Sequence, residues 1–223
     1  MNLPTRKRSV VVVAGVPSVG KSTWCIRLLI NGDFTARFVF DPQPGEFNAD
    51  IGEFADRLKV EPTKTPFQIC SHLLRQPHPG IKGSFVCLDP HEHFPNVKAG
   101  FDFLCEWAWQ KSAELPGDKV IVVDDGYLFC TPHNIPEPME RICYSGSKRR
   151  LAFVINSQQP HLLNSTVKSC CSEIVCFRLQ GEGSLKFAEQ NGFNRDEVAN
   201  LPPLHFVGRS MDTGGERRGT LKI

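Results

Sequence analysis

Gly15-Val16-Pro17-Ser18-Val19-Gly20-Lys21-Ser22 meets the spacing G-x-x-x-x-G-K-[ST] at every fixed position, and Thr23 follows it. Glycines at these places let a backbone wrap a phosphate chain, and the backbone N–H groups and the start of a helix supply positive charge. A lysine at Lys21 can reach β- and γ-phosphates, and a hydroxyl at Ser22 can ligate Mg²⁺. Such chemistry requires a strand before the loop and a helix after it. Val10 to Ala14 is a continuous apolar run, as expected of a buried parallel strand, and Ser22 to Ile30 is an apolar-rich helical segment. The competing reading is a turn before an ordinary helix with a solvated lysine.

A second group of candidates closes another apolar run. Lys119-Val-Ile-Val-Val123 leads into Asp124 and Asp125, in the manner of a Walker B strand. Parallel sheets collect functional groups at the carboxyl ends of their strands, so these two carboxylates are expected beside the phosphate loop. Asp124 is the candidate for Mg²⁺, directly or through water, and Asp125 for the base that polarises an attacking water. Leu151 to Asn156 reads as a further buried strand and runs into Ser157-Gln158-Gln159-Pro160. An amide such as Gln158 at that strand end can contact a γ-phosphate or orient water.

The chain of 223 residues, 40% apolar and 22% charged, suits one sizeable α/β domain over residues 1–223. Its net charge of +2 argues against coating nucleic acid by bulk charge, and Arg6, Lys7 and Arg8 read as a solvated lead-in to the first strand. No stretch has the form of a signal peptide or approaches the roughly 18 apolar residues of a membrane span. Nine cysteines lie scattered through apolar runs with no C-x-x-C pair, and His91 and His93 near Cys87 are the nearest approach to a metal cluster. Buried, reduced thiols in an intracellular setting are the expectation.

The remaining elements follow from periodicity and breakers. Strands are expected at Phe38 to Phe40, Ser84 to Leu88 and Glu173 to Leu179. Helices are expected at Asp50 to Leu58, Thr65 to Arg75, Ala99 to Glu114, Met139 to Ser145, Asn164 to Cys171 and Ser184 to Asn191. Gly126 to Pro138 reads as a long proline-rich connection. His205 to Arg209 and Arg218 to Ile223 read as a β-hairpin around Asp212-Thr-Gly-Gly215. Strands alternating with helices predict a mostly parallel α/β sheet.

With these motifs in order, the chain resembles the additional-strand branch of phosphate-loop ATPases. Within that branch it is similar to the HerA/FtsK superfamily, and most to the small genome-packaging ATPases of internal-membrane icosahedral viruses such as the tectiviruses. The resemblance rests on Gly15 to Thr23, Phe38-Val-Phe-Asp41-Pro42, Val120 to Asp125, Asn156-Ser-Gln-Gln-Pro160, Ile174 to Leu179 and the Leu201 to Val207 tail. It implies a RecA-like core, ATP and Mg²⁺ as ligands, and a homo-oligomeric ring, expected as a hexamer. It also implies translocation of double-stranded DNA at a capsid vertex, in the host cytoplasm and in the virion. In such rings a neighbour's arginine reaches the nucleotide. Arg149 and Arg150 are the preferred candidates, with Arg178 as the other. The branch carries glutamate where this chain has Asp125, one methylene shorter, which makes the base less firmly assigned than the metal ligand.

Two rival readings stay open. A nucleotide kinase would be expected to show an arginine-rich lid, and none stands out. A nucleotide-dependent assembly factor without translocation is the other, although the Asn-Lys-x-Asp of guanine specificity is absent from the chain.

Overall fold

Val10–Ala14 (β1) is buried along its whole length, because it has a strand on each side and a core on each face. Val10, Val12 and Ala14 enter one core and Val11 and Val13 the other, so every position must be apolar. A computed structural model describes residues 10–42, 84–88 and 94–222. The expected helices at 50–58 and 65–75, the basic lead-in at 6–8 and the His91–His93 pair lie outside the described residues.

The described strands form one eight-stranded sheet in the order β3-β2-β4-β5-β1-β6-β7-β8. These are β2 (Ala36–Phe40), β3 (Ser84–Leu88), β4 (Lys119–Val123), β5 (Leu151–Ser157), β6 (Cys171–Cys176), β7 (His205–Ser210) and β8 (Glu216–Thr220). All pairings from β3 across to β6 are parallel, while β6–β7 and β7–β8 are antiparallel. The topology is the phosphate-loop NTPase fold of the additional-strand class: β5 separates the acidic strand β4 from β1. The C-terminal hairpin is β7–β8, ending three residues earlier than its sequence pattern suggested.

Helix α1 (Lys21–Asn31) packs Trp24, Cys25, Leu28 and Leu29 into one core. Helix α2 (Val97–Glu114) contributes Phe101, Leu104, Cys105, Trp107 and Ala108 to the other. There Phe40, Phe101 and Phe129 form a cluster with ring centroids 5.0–5.3 Å apart. That core is completed by α3 (Glu137–Ser145), α4 (Ser165–Cys170), α5 (Glu182–Gln190) and α6 (Arg195–Ala199).

Two further departures from the sequence expectation have local reasons. β6 starts at Cys171, directly after α4, and stops at Cys176. Beyond it, the Arg178 carbonyl accepts from Val16 N–H at 2.9 Å and Leu179 N–H donates to the Val198 carbonyl at 3.0 Å. Those residues therefore serve the loop and α6 instead of continuing the strand. Helix α6 itself was not foreseen, although Asn194 caps it by accepting from Glu197 N–H at 3.0 Å. An Asn-x-x-Glu spelling of this kind marks a helix start.

Buried Arg37 closes the end of α1. Its guanidinium donates to the carbonyls of Leu29 at 2.6 Å, Phe34 at 2.8 Å and Gly32 at 2.8 Å. Burial lowers its pKa, and Asp33 opposes that effect. Arg37→Leu would strand these carbonyls, so unfolding stability is expected to fall by about 2–3 kcal/mol. Denaturant titration checks this, and a change under about 0.5 kcal/mol would contradict it.

Cys25, Cys105, Cys130, Cys143, Cys170, Cys171 and Cys176 are buried free thiols. Burial raises the pKa of several of them, with Cys171 pushed up to about 12. Native protein at neutral pH should therefore leave them unalkylated by iodoacetamide until denaturant is added, as read by peptide mass spectrometry. Rapid native labelling of Cys171 would contradict this.

Candidate functional site

The loop between β1 and α1 is shaped by close approaches. The Gly15 N–H donates to the Ser157 carbonyl at 3.2 Å. A Cβ on Gly15 would lie 2.8 Å from Phe177 Cβ and 2.9 Å from Val19 Cγ2, so no larger residue fits without a shift. Ser18 (φ 59°) and Gly20 (φ 111°) take left-handed conformations that turn the chain into α1. No acidic residue occupies the first turn of α1 and no side chain caps it, which leaves its positive end for an anion. Lys21 is 6% exposed, and its Nζ donates to the Val16 carbonyl at 2.9 Å across the loop.

The carboxylates emerge at the same edge of the sheet. Register aligns Ala14 with Ser157 on β5 and Val123 with Ile155, so β5 carries its polar end between the loop and the acidic pair. Asp124 and Asp125 are 4% and 5% exposed. Asp124 Oδ1 accepts from the Asp125 N–H at 3.0 Å and from Asn156 Nδ2. Asp125 is left-handed at φ 44°, and its Oδ1 accepts from Gln158 Nε2 at 3.2 Å. The turn that follows lies against β5 so closely that a Cβ on Gly126 would fall 2.1 Å from Ile155 Cγ1.

The buried Cys25 thiol on α1 senses both sides of the site. Burial pushes its pKa up, Asp124 adds to the rise, and Lys21 opposes it. The pKa of the Tyr127 hydroxyl is likewise raised, first by burial and then by the Asp125 charge. An amine, two carboxylates and an amide thus share one edge of the sheet.

The arginines divide. Arg149 lies 3.7 Å over the Trp109 ring and its Nη1 donates to the Trp109 carbonyl at 2.7 Å. Arg150, left-handed at φ 56°, makes a two-pronged bond to Asp118 at 2.8 and 2.9 Å and is exposed. Both precede Leu151, the amino end of β5, whereas Gln158 follows its carboxyl end. Seven residues of strand span about 20 Å, so neither arginine reaches its own chain's loop. Arg178 is placed differently. Its carbonyl holds the Val16 N–H, and its Nε is buried with no hydrogen-bond partner among the described residues.

Asn156 belongs to this constellation and was not singled out from the sequence. The available signal was an amide within Leu151-Ala-Phe-Val-Ile-Asn156, where the pattern calls for an apolar side chain.

A cation fits the donor set. Ser22 and Asp124 offer hard oxygen ligands, and the Asn156 Oδ1 is a buried acceptor without a partner among the described residues.

Comparison with solved structures identifies the same fold elsewhere. The genome packaging NTPase B204 from Sulfolobus turreted icosahedral virus 2, in complex with sulfate, superposes with a TM-score of 0.72. It is 14% identical, over 97% of this chain and 98% of that one. The same NTPase with ATP-γS gives 0.70 at 15% identity, over 96% and 98%. VirB4 of Thermoanaerobacter pseudethanolicus gives 0.63 at 12% identity, over 96% and 89%. No protein-family model and no curated protein sequence matches the chain. Among the described residues no helix is long and apolar enough to cross a membrane.

Proposed function

We propose that the protein is an ATP-hydrolysing motor of the HerA/FtsK type that moves double-stranded DNA into a viral capsid. The observation that carries the ATPase reading is the meeting of Lys21, Asp124, Asp125 and Gln158 at one sheet edge around a built phosphate loop. The packaging reading is supported by the likeness, over nearly the full length of both chains, to a viral packaging NTPase solved with ATP-γS.

In this reading the phosphates lie along Gly15 to Thr23, with backbone N–H groups and the start of α1 facing them. Lys21 exchanges the Val16 carbonyl for β- and γ-oxygens. Ser22 and Asp124 hold Mg²⁺, which when bound neutralises phosphate charge. Asp125 takes the proton of the attacking water, and Gln158, which bridges to Asp125, orients that water against the γ-phosphate. Arg150 serves the site of a neighbouring subunit in a ring, expected as a hexamer. Arg149 is held by Trp109 and positions the turn that carries Arg150. Arg178 stays on its own chain's loop as a cis contact.

DNA contacts are assigned to the Gly126 to Pro138 connection. It contains a short 3₁₀ turn, Gly126–Leu128, and a bridge between Thr131 and Asn134, with His133 and Asn134 exposed. Replacing His133 and Asn134 by alanine should lower DNA stimulation of hydrolysis while the rate without DNA stays unchanged. Full retention of stimulation would move the DNA contact elsewhere. The protein acts in the host cytoplasm and at the packaging vertex of the virion.

Displacement of a third strand from linear duplex DNA tests the motor. ATP-dependent displacement, lost in Lys21→Ala, is the expected result. Hydrolysis without displacement would leave a nucleotide-dependent assembly factor, and phosphate transfer to an added nucleotide would make the protein a kinase.

A further inference from the structure

We infer that Asn156 is a positioning residue for the cation site: it fixes the Asp124 carboxylate through Nδ2 and accepts through Oδ1 from a metal-bound water. The inference deepens the proposed ATPase reading and rests on it.

Asn156 lies on β5, between the phosphate-loop strand and the acidic strand, paired in register with Val13 and 1% exposed. Its strand neighbours Phe153, Val154 and Ile155 are buried and apolar, so packing alone would favour another apolar residue. An ionised carboxylate only accepts, so the amide nitrogen must face Asp124 and the amide oxygen must face away. That oxygen is buried and has no hydrogen-bond partner among the described residues. A buried acceptor left in this state is costly, and it is retained where a donor arrives with function. The donor chemistry that suits a place beside a cation-holding aspartate is the O–H of water in the cation's own shell. Hydrogen-bonded partners behind a ligating carboxylate orient it and raise metal affinity.

Asp124 and Asn156 would then act as one unit. The Asp125 N–H and the Asn156 amide converge on Oδ1 of Asp124 and limit the turns its carboxylate can make. Removing the amide takes away one of these two bonds on Oδ1 of Asp124 and removes the acceptor for the water. The loop that binds phosphate is left intact.

The test is Mn²⁺ binding in the presence of ADP, followed by electron paramagnetic resonance on wild type, Asn156→Leu and Asn156→Asp. ADP binding in EDTA and thermal unfolding without ligand are measured beside it. Asn156→Leu should weaken Mn²⁺ about 10–100-fold, with ADP binding in EDTA within about twofold of wild type. Its unfolding temperature should stay within a few degrees of wild type, because losing the unpartnered Asn156 Oδ1 offsets the loss of one bond to Asp124, whose Oδ1 keeps the Asp125 N–H. Asn156→Asp keeps an acceptor but loses the donor. It should also weaken Mn²⁺, because an ionised carboxylate has no N–H with which to hold Asp124 in place. It keeps the experiment decisive if the leucine variant does not fold. Wild-type Mn²⁺ affinity in both variants would overturn the role of Asn156 and leave the ATPase reading standing. Equal losses of Mn²⁺ and metal-free ADP binding, with a lowered unfolding temperature, would reduce Asn156 to a structural residue. A wild-type protein that binds neither ADP nor Mn²⁺ would overturn both.

Discussion

Asp125→Asn is expected to lower the turnover of ATP by about 10²–10⁴-fold while nucleotide affinity changes little. The substitution keeps an oxygen where Gln158 Nε2 now donates at 3.2 Å, so the amide bridge survives. Asn and Asp both tolerate the left-handed backbone that φ 44° imposes here, so the turn survives as well. What is lost is the basicity that would take a proton from water. Single-turnover hydrolysis separates this from binding. A rate in the asparagine variant above about a third of wild type would remove Asp125 from the role of base. Asp125→Glu supplies the longer acid to which the family resemblance points, and should equal or exceed the wild-type rate. A loss in that variant would mean that the left-handed turn already brings the shorter carboxylate to the water.

Arg150→Ala is expected to cost about 10³-fold in turnover of the assembled protein, the scale of an arginine supplied in trans. Its present partner is Asp118, in an exposed, solvent-screened pair whose loss should leave the unfolding midpoint essentially unchanged. Arg149→Ala should do the reverse. Without the stacking on Trp109 and the bond to its carbonyl, stability should fall by about 1–2 kcal/mol while the residual rate stays within tenfold. Mixing Arg150→Ala subunits with Asp125→Asn subunits supplies a complete site wherever one variant's arginine faces the other's base. Partial recovery of hydrolysis on mixing is expected. Mixed preparations as inactive as their parents would contradict an arginine that acts between subunits.

The parts that were legible from sequence are those in which one residue type has one physical reason. Val10 to Ala14 and Lys119 to Val123 could only be strands buried on both faces, and Gly15 and Gly20 sit where a Cβ would collide or the backbone turns left-handed. Asp124, Asp125 and Gln158 could be expected side by side because strand ends of a parallel sheet meet at one edge. Asn156 escaped because its meaning depends on register: only the alignment of Val123 with Ile155 sets its amide against Asp124. The early end of β6 was hidden likewise, since Phe177 and Leu179 are as apolar as strand residues, but the Arg178 carbonyl is taken by Val16 and the Leu179 N–H by Val198. The arginines could not be ranked from spacing alone. Distinguishing them took the stacking of Arg149 on Trp109, the exposed fork of Arg150 on Asp118, and the position of Arg178 beside the loop.

The most direct test of the central claim is steady-state ATP hydrolysis by the purified protein, with and without linear double-stranded DNA, beside Lys21→Ala. Hydrolysis that rises with DNA and is abolished by Lys21→Ala is the predicted result. Hydrolysis that ignores DNA, or that persists in Lys21→Ala, would contradict a DNA motor driven from the Gly15 to Thr23 loop.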